Sequence, residues 1–470
     1  MDQGGAGGGS TGLKMRLLIA ATIAALVCLK TAAPAQQADS ASPLTLSQAV
    51  QIALEKNPAR KAALADTKSA SADVQTARSF LLPHLTFSET GMRGNDPVYV
   101  FGSKLRQQRF SSADFALNQL NTPVPFGNFS TRFGGTWNLF DSFASWRGML
   151  RARQMQQAAA HDLDRTDQEI EFRVIGAYYA ALLAEKQLEV ALLAQKTALS
   201  IMERSQARFD SGLVVESDLL TAKVRLAGRQ QELIQARNTQ ELARAELNTA
   251  MGLPAGSGFD LTTTLSERAL PSRPVEDLEK QALAKRPELQ SIAAQQAAQQ
   301  QSVAIAKSSF GPRINAFAGW ELDNPTLFAG GGGNNWLGGV ELQFDLFQGG
   351  AKRAELSRQH AIEQKIAAMK QSTSDAVRLE VRRAYYQTDA SRQQIDVARI
   401  AIAQAQESLR INQDRYDSGL ITITDLLGAE EAAHRSQSDY YEAIYRFQTS
   451  YASLEFSSGT LNPQSPVVMQ

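Results

Sequence analysis

The feature that most limits what this chain can fold into is a phrase written twice. Arg208, Asp210-Ser211-Gly212-Leu213 and Asp218-Leu219-Leu220 recur as Arg415, Asp417-Ser418-Gly419-Leu420 and Asp425-Leu426-Leu427, with the same internal spacing. At the same offset Ala177-Tyr178-Tyr179 recurs as Ala384-Tyr385-Tyr386, and Leu247 with Gly252 recurs as Leu454 with Gly459. Upstream, Ala53-Leu54-x-Lys56-x-Pro58 returns as Ala282-Leu283-x-Lys285-x-Pro287 and Pro83 as Pro312. There the offset is longer by about 22 residues, so the first copy carries an insertion between Gly91 and Phe129. A fold of two like halves follows, each reading helix, break at proline, helix, strand, loop, strand, very long helix, tip, helix.

The long helices are the next constraint. Ser142 to about Phe209, and Ala351 to about Tyr416, are free of proline and rich in alanine, glutamine, arginine and leucine. Each is predicted to be one helix of roughly 100 Å at 1.5 Å per residue. Helices of that length need lateral partners. Ala59 to Leu81 and Glu216 to Ala250 together are long enough to lie end to end beside the first. Alanines spread around these helices, without a broad leucine stripe, suit a curved wall packed on both flanks.

Strand patterns sit between the helices. Val340, Leu342, Phe344 and Leu346 alternate with Glu341, Gln343 and Asp345, and Ile314, Ala316, Ala318 and Trp320 form a partner in which Phe317 falls on the polar side. Leu85 and Phe87, with Phe133, Gly135, Trp137 and Leu139, form the corresponding hairpin of the first half. A sheet of four strands has open edges that cannot stand in lipid, so other subunits must complete it. A trimer giving about twelve strands is the smallest odd-symmetric closure that leaves a passage.

At the N-terminus, Lys14 and Arg16 precede an apolar run from Leu17 to Leu29, and Ala33 and Ala35 flank Pro34. This is a secretory signal peptide, cleaved after Ala35. Met1 to Gly12 lie upstream of a more natural start at Met15. Cys28, the single cysteine, falls within the apolar run after Val27, where a lipoprotein signal wants a small residue. The mature chain then has no disulfide, thiolate nucleophile or cysteine metal site. Lys+Arg and Asp+Glu both total 48, so bulk charge gives no sign of a nucleic-acid partner.

An enzyme is not expected. His84, His161, His360 and His434 are scattered without ligand spacing, and Gly330 to Gly333 lacks the lysine and helix start of a phosphate cradle. No cofactor or metal is implied. The competing reading is an exported, non-conducting structural or adhesive coiled coil, against which the alternating strands speak.

The two halves, each with a Phe/Tyr-x-x-Gly-Leu tip followed by Asp-Leu-Leu, resemble TolC-like outer-membrane efflux proteins over nearly the whole mature chain. The resemblance implies a mainly α fold with a small β part. A long antiparallel α-helical barrel would be joined to a trimeric 12-stranded transmembrane β-barrel with four strands per subunit, and each subunit would carry an internal twofold repeat. It implies a homotrimer in outer-membrane lipid, extending into the periplasm. This would be a passive exit for tripartite efflux or type I secretion, serving a periplasmic adaptor and an inner-membrane pump of RND, ABC or MFS type. The expected divisions are the signal peptide at 1–35 and a first repeat at 36–252, with its hairpin about 83–140 and tip about 208–218. An equatorial segment at 253–279 follows, then a second repeat at 280–460, with its hairpin about 312–347 and tip about 415–425, and a tail at 461–470.

At the tips, glycine accepts a left-handed backbone and the following aspartate can satisfy free amides of the next helix. Asp218 is expected to cap at the first tip. The resemblance adds adaptor docking at Gly212, Leu213, Gly419 and Leu420. It also places a periplasmic gate just after the second tip, made in relatives by a tyrosine, an arginine and two aspartates. Tyr416 matches the tyrosine and Asp425 one aspartate, while Ile421 and Gly428 occupy the other two positions. Closure here is therefore expected to rest on Ile421 and Ile423 packing near the axis with a ring of three Asp425 carboxylates, unless Asp425 is only a helix cap.

Overall fold

The computed structural model describes residues 42–265, 273–328 and 332–469. The signal peptide and Cys28 lie outside the described residues, as do parts of the equatorial segment and of the glycine run. The chain divides into a small unit, Met1–Pro43 with Gly258–Asp260, and a large one, Leu44–Ser257 with Leu261–Gln470. Short strands β1 (Ser42–Leu44) and β4 (Phe259–Leu261) pair with each other.

Proline sets the first helical breaks. Helix α1 (Leu46–Lys56) opens with a capping box between Thr45 and Gln48, and stops one residue before Pro58, which starts α2 (Pro58–Ser79). Asn57 holds the joint, its side-chain oxygen accepting from the amide of Ala59 at 2.9 Å while its Nδ2 donates to the carbonyl of Ala250 at 2.9 Å. Likewise α7 (Val275–Lys285) yields to α8 (Pro287–Ser308). Proline needs no amide partner at a first helical position and cannot extend the preceding helix.

The long helices are α5 (Ala144–Asp210) and α9 (Ala351–Asp417), each of 67 residues, followed by α6 (Glu216–Ala250) and α10 (Ile423–Ser457), each of 35. Helix α5 begins two residues later than expected because Ser142 and Phe143 take positive φ, and the Asp141 carboxylate accepts from the amide of Ser145 at 2.8 Å. Helices α2 and α6 both pack on α5, as α8 and α10 both pack on α9, and α8 and α10 also reach α5. Helix α5 is thus the central spine. Its Tyr178 and Tyr179 are fully buried, and the Tyr178 hydroxyl donates to the carbonyl of Leu44 at 2.8 Å.

Between helices stands an antiparallel sheet in the order β2 (His84–Gly94), β3 (Phe126–Phe140), β5 (Arg313–Asn324) and β6 (Gly333–Gln343). Strand β6 ends at Gln343, so the expected alternation through Phe344 and Leu346 outruns the ladder. Register explains the pattern. Phe87, Phe133, Trp320 and Trp336 are cross-strand neighbours on one face, which also carries Leu85, Trp137, Val340 and Leu342. These side chains are exposed although apolar. The opposite face carries Ser88, Arg132, Glu321 and Asn335 in one row. Phe317 lies on that polar side, its ring resting over Gly339, which has no side chain to obstruct it. Among the described residues the strands β2 and β6 have no neighbour on their outer edges.

The insertion between β2 and β3 is folded. It contains α3 (Pro97–Arg106), a 3₁₀ turn at Ser112–Phe115 and the short helix α4 (Leu117–Asn121). Among the described residues no helix is long and apolar enough to cross a membrane.

Candidate functional site: the paired tips

Both tips are built by the same backbone device. Gly212 and Gly419 take φ of +71° and +74°. The amide of Gly212 donates to the carbonyl of Phe209 and that of Leu213 to Arg208, both at 2.8 Å. Gly419 and Leu420 repeat this on Tyr416 and Arg415 at 2.9 Å. Glycine is required because a side chain at these φ values crowds the carbonyl of its own residue. The leucine after each glycine is thrown outward, and Leu213 and Leu420 are 68% and 69% exposed. Each tip therefore presents one exposed apolar side chain.

The next helices start differently. At the second tip Thr422 and Asp425 form a capping box: Thr422 Oγ1 accepts from the amide of Asp425 at 3.3 Å, and the Asp425 carboxylate accepts from the amide and hydroxyl of Thr422 at 3.1 and 2.7 Å. Those hydrogen bonds, with help from Arg415, hold the Asp425 carboxyl below the usual range, so it stays ionised. At the first tip the cap position is Val215, which has no side-chain acceptor. Asp218 is therefore not the expected cap, and acts only as an acid in the first turn, favoured by the helix dipole.

Of the four residues expected to close a passage, the structure buries two. Tyr416 and Ile423 are buried in one apolar cluster with Ile201, Leu426 and Leu427, against which Ile421 is partly buried. The expectation that Ile423 packs at an axis between subunits is corrected, because its side chain is used up inside its own subunit. Ile421 and Asp425 remain accessible.

Sequence reading missed what holds Tyr416. Arg208, at the end of α5, donates from Nη1 to the carbonyls of Tyr416 at 2.5 Å and Asp417 at 3.2 Å, and its guanidinium lies 4.9 Å from the Tyr416 ring centroid. Ser205 Oγ lies 3.2 Å from the Tyr416 hydroxyl, and Arg204 Nη1 donates to Asp417 at 3.0 Å. The end of the first long helix thus grips the second tip. The only signal was Arg208 itself, which recurs as Arg415 and looks like part of the repeat.

About 20 Å further along α6, at 1.5 Å per residue, a buried ion cluster joins α6 to α10. Arg229 makes a two-pronged contact with Glu430, Nε donating to Oε1 at 3.0 Å and Nη2 to Oε2 at 2.9 Å, and it also reaches Glu431 and Glu232. Arg229 and Glu430 are 1% and 2% exposed. Burial and the adjacent Arg229 charge push His434 below its ordinary value, keeping it neutral at pH 7.

The comparisons with known proteins agree with this architecture. The family model for outer membrane efflux proteins matches residues 49–253 and 278–460. The alkaline protease secretion protein AprF of Pseudomonas aeruginosa is 25% identical over 442 residues, covering 90% of this chain and 86% of that one. Outer membrane protein TolC of Escherichia coli (strain K12) is 24% identical over 443 residues, covering 89% and 83%. The crystal structure of the Campylobacter jejuni CmeC outer membrane channel superposes with a TM-score of 0.76 at 16% identity, covering 90% of this chain and 87% of that one.

The likeness in fold is a mainly helical chain with a small sheet. The chain belongs to the outer membrane efflux protein family: it is a TolC-family efflux or secretion channel protein, located in the outer membrane with a periplasmic-facing domain, and a non-catalytic conduit.

Proposed function

We propose that this chain is the exit duct of a tripartite efflux or type I secretion system, working as a homotrimer with a periplasmic adaptor and an inner-membrane pump. The observation that carries the reading is the sheet: one face is apolar and exposed, the other polar, and among the described residues nothing pairs with the outer edge of either edge strand. In lipid every backbone donor and acceptor needs a partner, and three copies pairing β6 with β2 close twelve strands without an edge. Helices of 67 residues, about 100 Å long, match a periplasmic span. Equal helix lengths in the two halves support an internal twofold repeat, with the halves at 36–252 and 280–460 joined by 253–279. The protease-secretion role in the name of AprF favours a type I system for at least part of the cargo.

In this reading the exposed Leu213 and Leu420, presented by Gly212 and Gly419, dock the adaptor. The gate is the second tip. Arg208 and Ser205 hold Tyr416, Ile423 anchors α10, and Ile421 and Asp425 are presented toward the other subunits. Three ionised Asp425 carboxylates gathered by symmetry favour cations.

Outer-membrane fractions and planar bilayers test both levels. The expected result is a heat-modifiable trimer with a small, cation-preferring conductance that Arg208→Ala raises and Asp425→Ala makes less cation-selective. A soluble monomer overturns the duct, and an Asp425→Ala channel with unchanged conductance and selectivity removes Asp425 from the gate.

A further inference from the structure

The insertion of the first half has no role in the duct as described, and its placement is specific. Helix α3 starts just beyond β2, where the Tyr99 hydroxyl donates to the carbonyl of Met92 at 2.8 Å, and ends against β3 and β6. Gln107, at its C-terminal end, donates from Nε2 to the carbonyl of Gly127 at 2.9 Å and to Asn128 Oδ1 at 2.7 Å. Asn128 in turn donates to Asp323 at 2.6 Å. All three side chains belong to buried residues. A Cβ on Gly333 would collide with the carbonyl of Arg106, so only glycine lets the helix end sit there. Helix α3 therefore crosses the sheet's end from one edge strand toward the other, on a seat of buried hydrogen bonds.

The side of the sheet it occupies is equally defined. The cleft beneath α3 is lined by Ser88, Thr90, Asn128, Ser130, Arg132 and Glu321, and by the ladder register all six project from the polar face. The lipid-compatible face is the opposite one. In this cleft a single carboxylate serves two guanidinium groups: Arg132 Nη2 lies 2.9 Å and Arg106 Nη1 3.4 Å from Glu321, which also accepts from Ser130. The arginine side chains are 56% and 55% exposed and that of Glu321 is 16% exposed. Asp323, the next carboxylate along this face of β5, is fully buried, so the charged groups that each copy exposes to the space beneath the helix are the two guanidinium groups.

We infer that α3 is a collar folded into the outer mouth of the barrel, and that Arg106 and Arg132, sharing Glu321, make this mouth a local filter that admits anions faster than cations, in series with the cation-favouring Asp425 ring at the far end. The inference rests on the duct reading: if the polar face lines a lumen, three copies of α3 narrow its exit. A cation there meets the exposed guanidinium groups of three copies while the carboxylates lie behind them, and an anion is attracted to the same groups, beside a barrel wall of low dielectric that weakens screening.

Thiol labelling of intact cells from outside tests this independently of the distant tips. Ser88→Cys places a thiol beneath α3, and a negatively charged and a positively charged methanethiosulfonate of similar size are used as probes. The anionic reagent is expected to react several-fold faster, and Arg106→Gln with Arg132→Gln to abolish or invert that ratio. Replacing residues 96–122 by a short glycine-serine linker is expected to speed labelling by a bulky polyethylene glycol maleimide about tenfold or more. Gly333→Val, which unseats only the end of α3, is expected to move the rate in the same direction. Unchanged bulky-reagent rates in both variants overturn the collar, and an unchanged charge ratio in the double arginine variant overturns the selectivity. Val340→Cys, on the apolar face, separates this from failure of the duct. If it labels as readily as Ser88→Cys with the water-soluble reagents, there is no lipid-facing barrel, and both readings fall.

Discussion

Helices α5 and α9 have the same length and follow the same sequence plan, yet the first buries seventeen residues along its length and the second seven. The doubled Ala-Tyr-Tyr shows the contrast most sharply. Tyr178 and Tyr179 are fully enclosed, whereas Tyr386 is 59% exposed and Tyr385 only borders a core cluster. Helix α5 is surrounded by α2, α6, α8 and α10 within one chain, whereas α9 packs on α7, α8 and α10 and leaves a flank open. On that flank Leu379, Tyr386, Val397, Ile400 and Ile411 are exposed, and at 100° per residue they fall in one stripe. An apolar stripe on a 67-residue helix marks a contact surface. The difference teaches that a recurring sequence plan yields two like helices, while the elements packed around them decide which becomes interior and which stays exposed.

The largest expected effect separates the two tyrosine pairs. Tyr178→Ala removes a buried ring and its hydrogen bond to Leu44, and is expected to cost the upper part of about 3–5 kcal/mol. Tyr386→Ala should leave the chain's own unfolding unchanged and, in the proposed trimer, lower the temperature at which the copies dissociate. If the two substitutions affect monomer unfolding alike, the contrast between α5 and α9 is broken.

Next comes Arg229, whose repeat counterpart is Ser436. Arg229→Ala leaves the buried Glu430 without its cation and is expected to cost about 3 kcal/mol, loosening α6 from α10. Replacing Arg229 and Glu430 together by methionine and leucine should recover most of that loss in denaturant unfolding, because no charge is then stranded.

Glu171 on α5 is buried, one carboxylate oxygen lacks a partner, and burial with the nearby Asp167 charge pushes its carboxyl up to about 8. Its counterpart on α9, Arg378, is half exposed and paired with Asp375 at 2.9 Å. A carboxyl that binds its proton more tightly when folded destabilises the fold progressively as pH rises from its ordinary value near 4.5 toward 8. Glu171→Gln should therefore raise the thermal midpoint by an amount that is small at pH 5 and grows to pH 8. A pH-independent difference would break this account.

The smallest effect sharpens the comparison of tips. Thr422→Val, which gives the second tip the residue of the first, is expected to cost about 1 kcal/mol. Val215→Thr should restore less at the first tip unless its side chain reaches the Asp218 amide. The bonds that the Asp425 carboxylate accepts from Thr422 are present above the ordinary aspartate range and lost as pH falls through the lowered Asp425 value, so the cost of Thr422→Val should shrink in acid to that of the bond from the Asp425 amide to Thr422 Oγ1.

Much of the fold was legible because it is written in periodicity and punctuation. Pro58 and Pro287 end helices since proline lacks an amide, Gly212 and Gly419 turn them since only glycine accepts that φ cheaply, and Glu216 to Ala250 is one helix as read. Less of the site was legible. Tyr416 and Asp425 could be singled out, but the partners of Tyr416 lie more than two hundred positions away on α5, and nothing local to Arg204, Ser205 or Arg208 announces them. Ile423 reads like any exposed isoleucine near a turn until Ile201 and Leu426 are found against it. Asp218 reads as a cap until Val215, three residues before it, proves to offer no acceptor.

The amino-acid order by itself determined the long helices and the strands between them, where the helices turn, that one phrase recurs, and that one sheet face is apolar. Those properties follow from interactions within a few residues of the chain: φ preferences, alternation and hydrophobic period. Only the tertiary structure decided that α5 is core while α9 is surface, that Arg229 and Glu430 meet, that Arg208 grips the second tip, and that α3 folds onto the polar face. These depend on which distant residues share a neighbourhood once the helices are packed. Two copies of one phrase have the same local energetics but different neighbours.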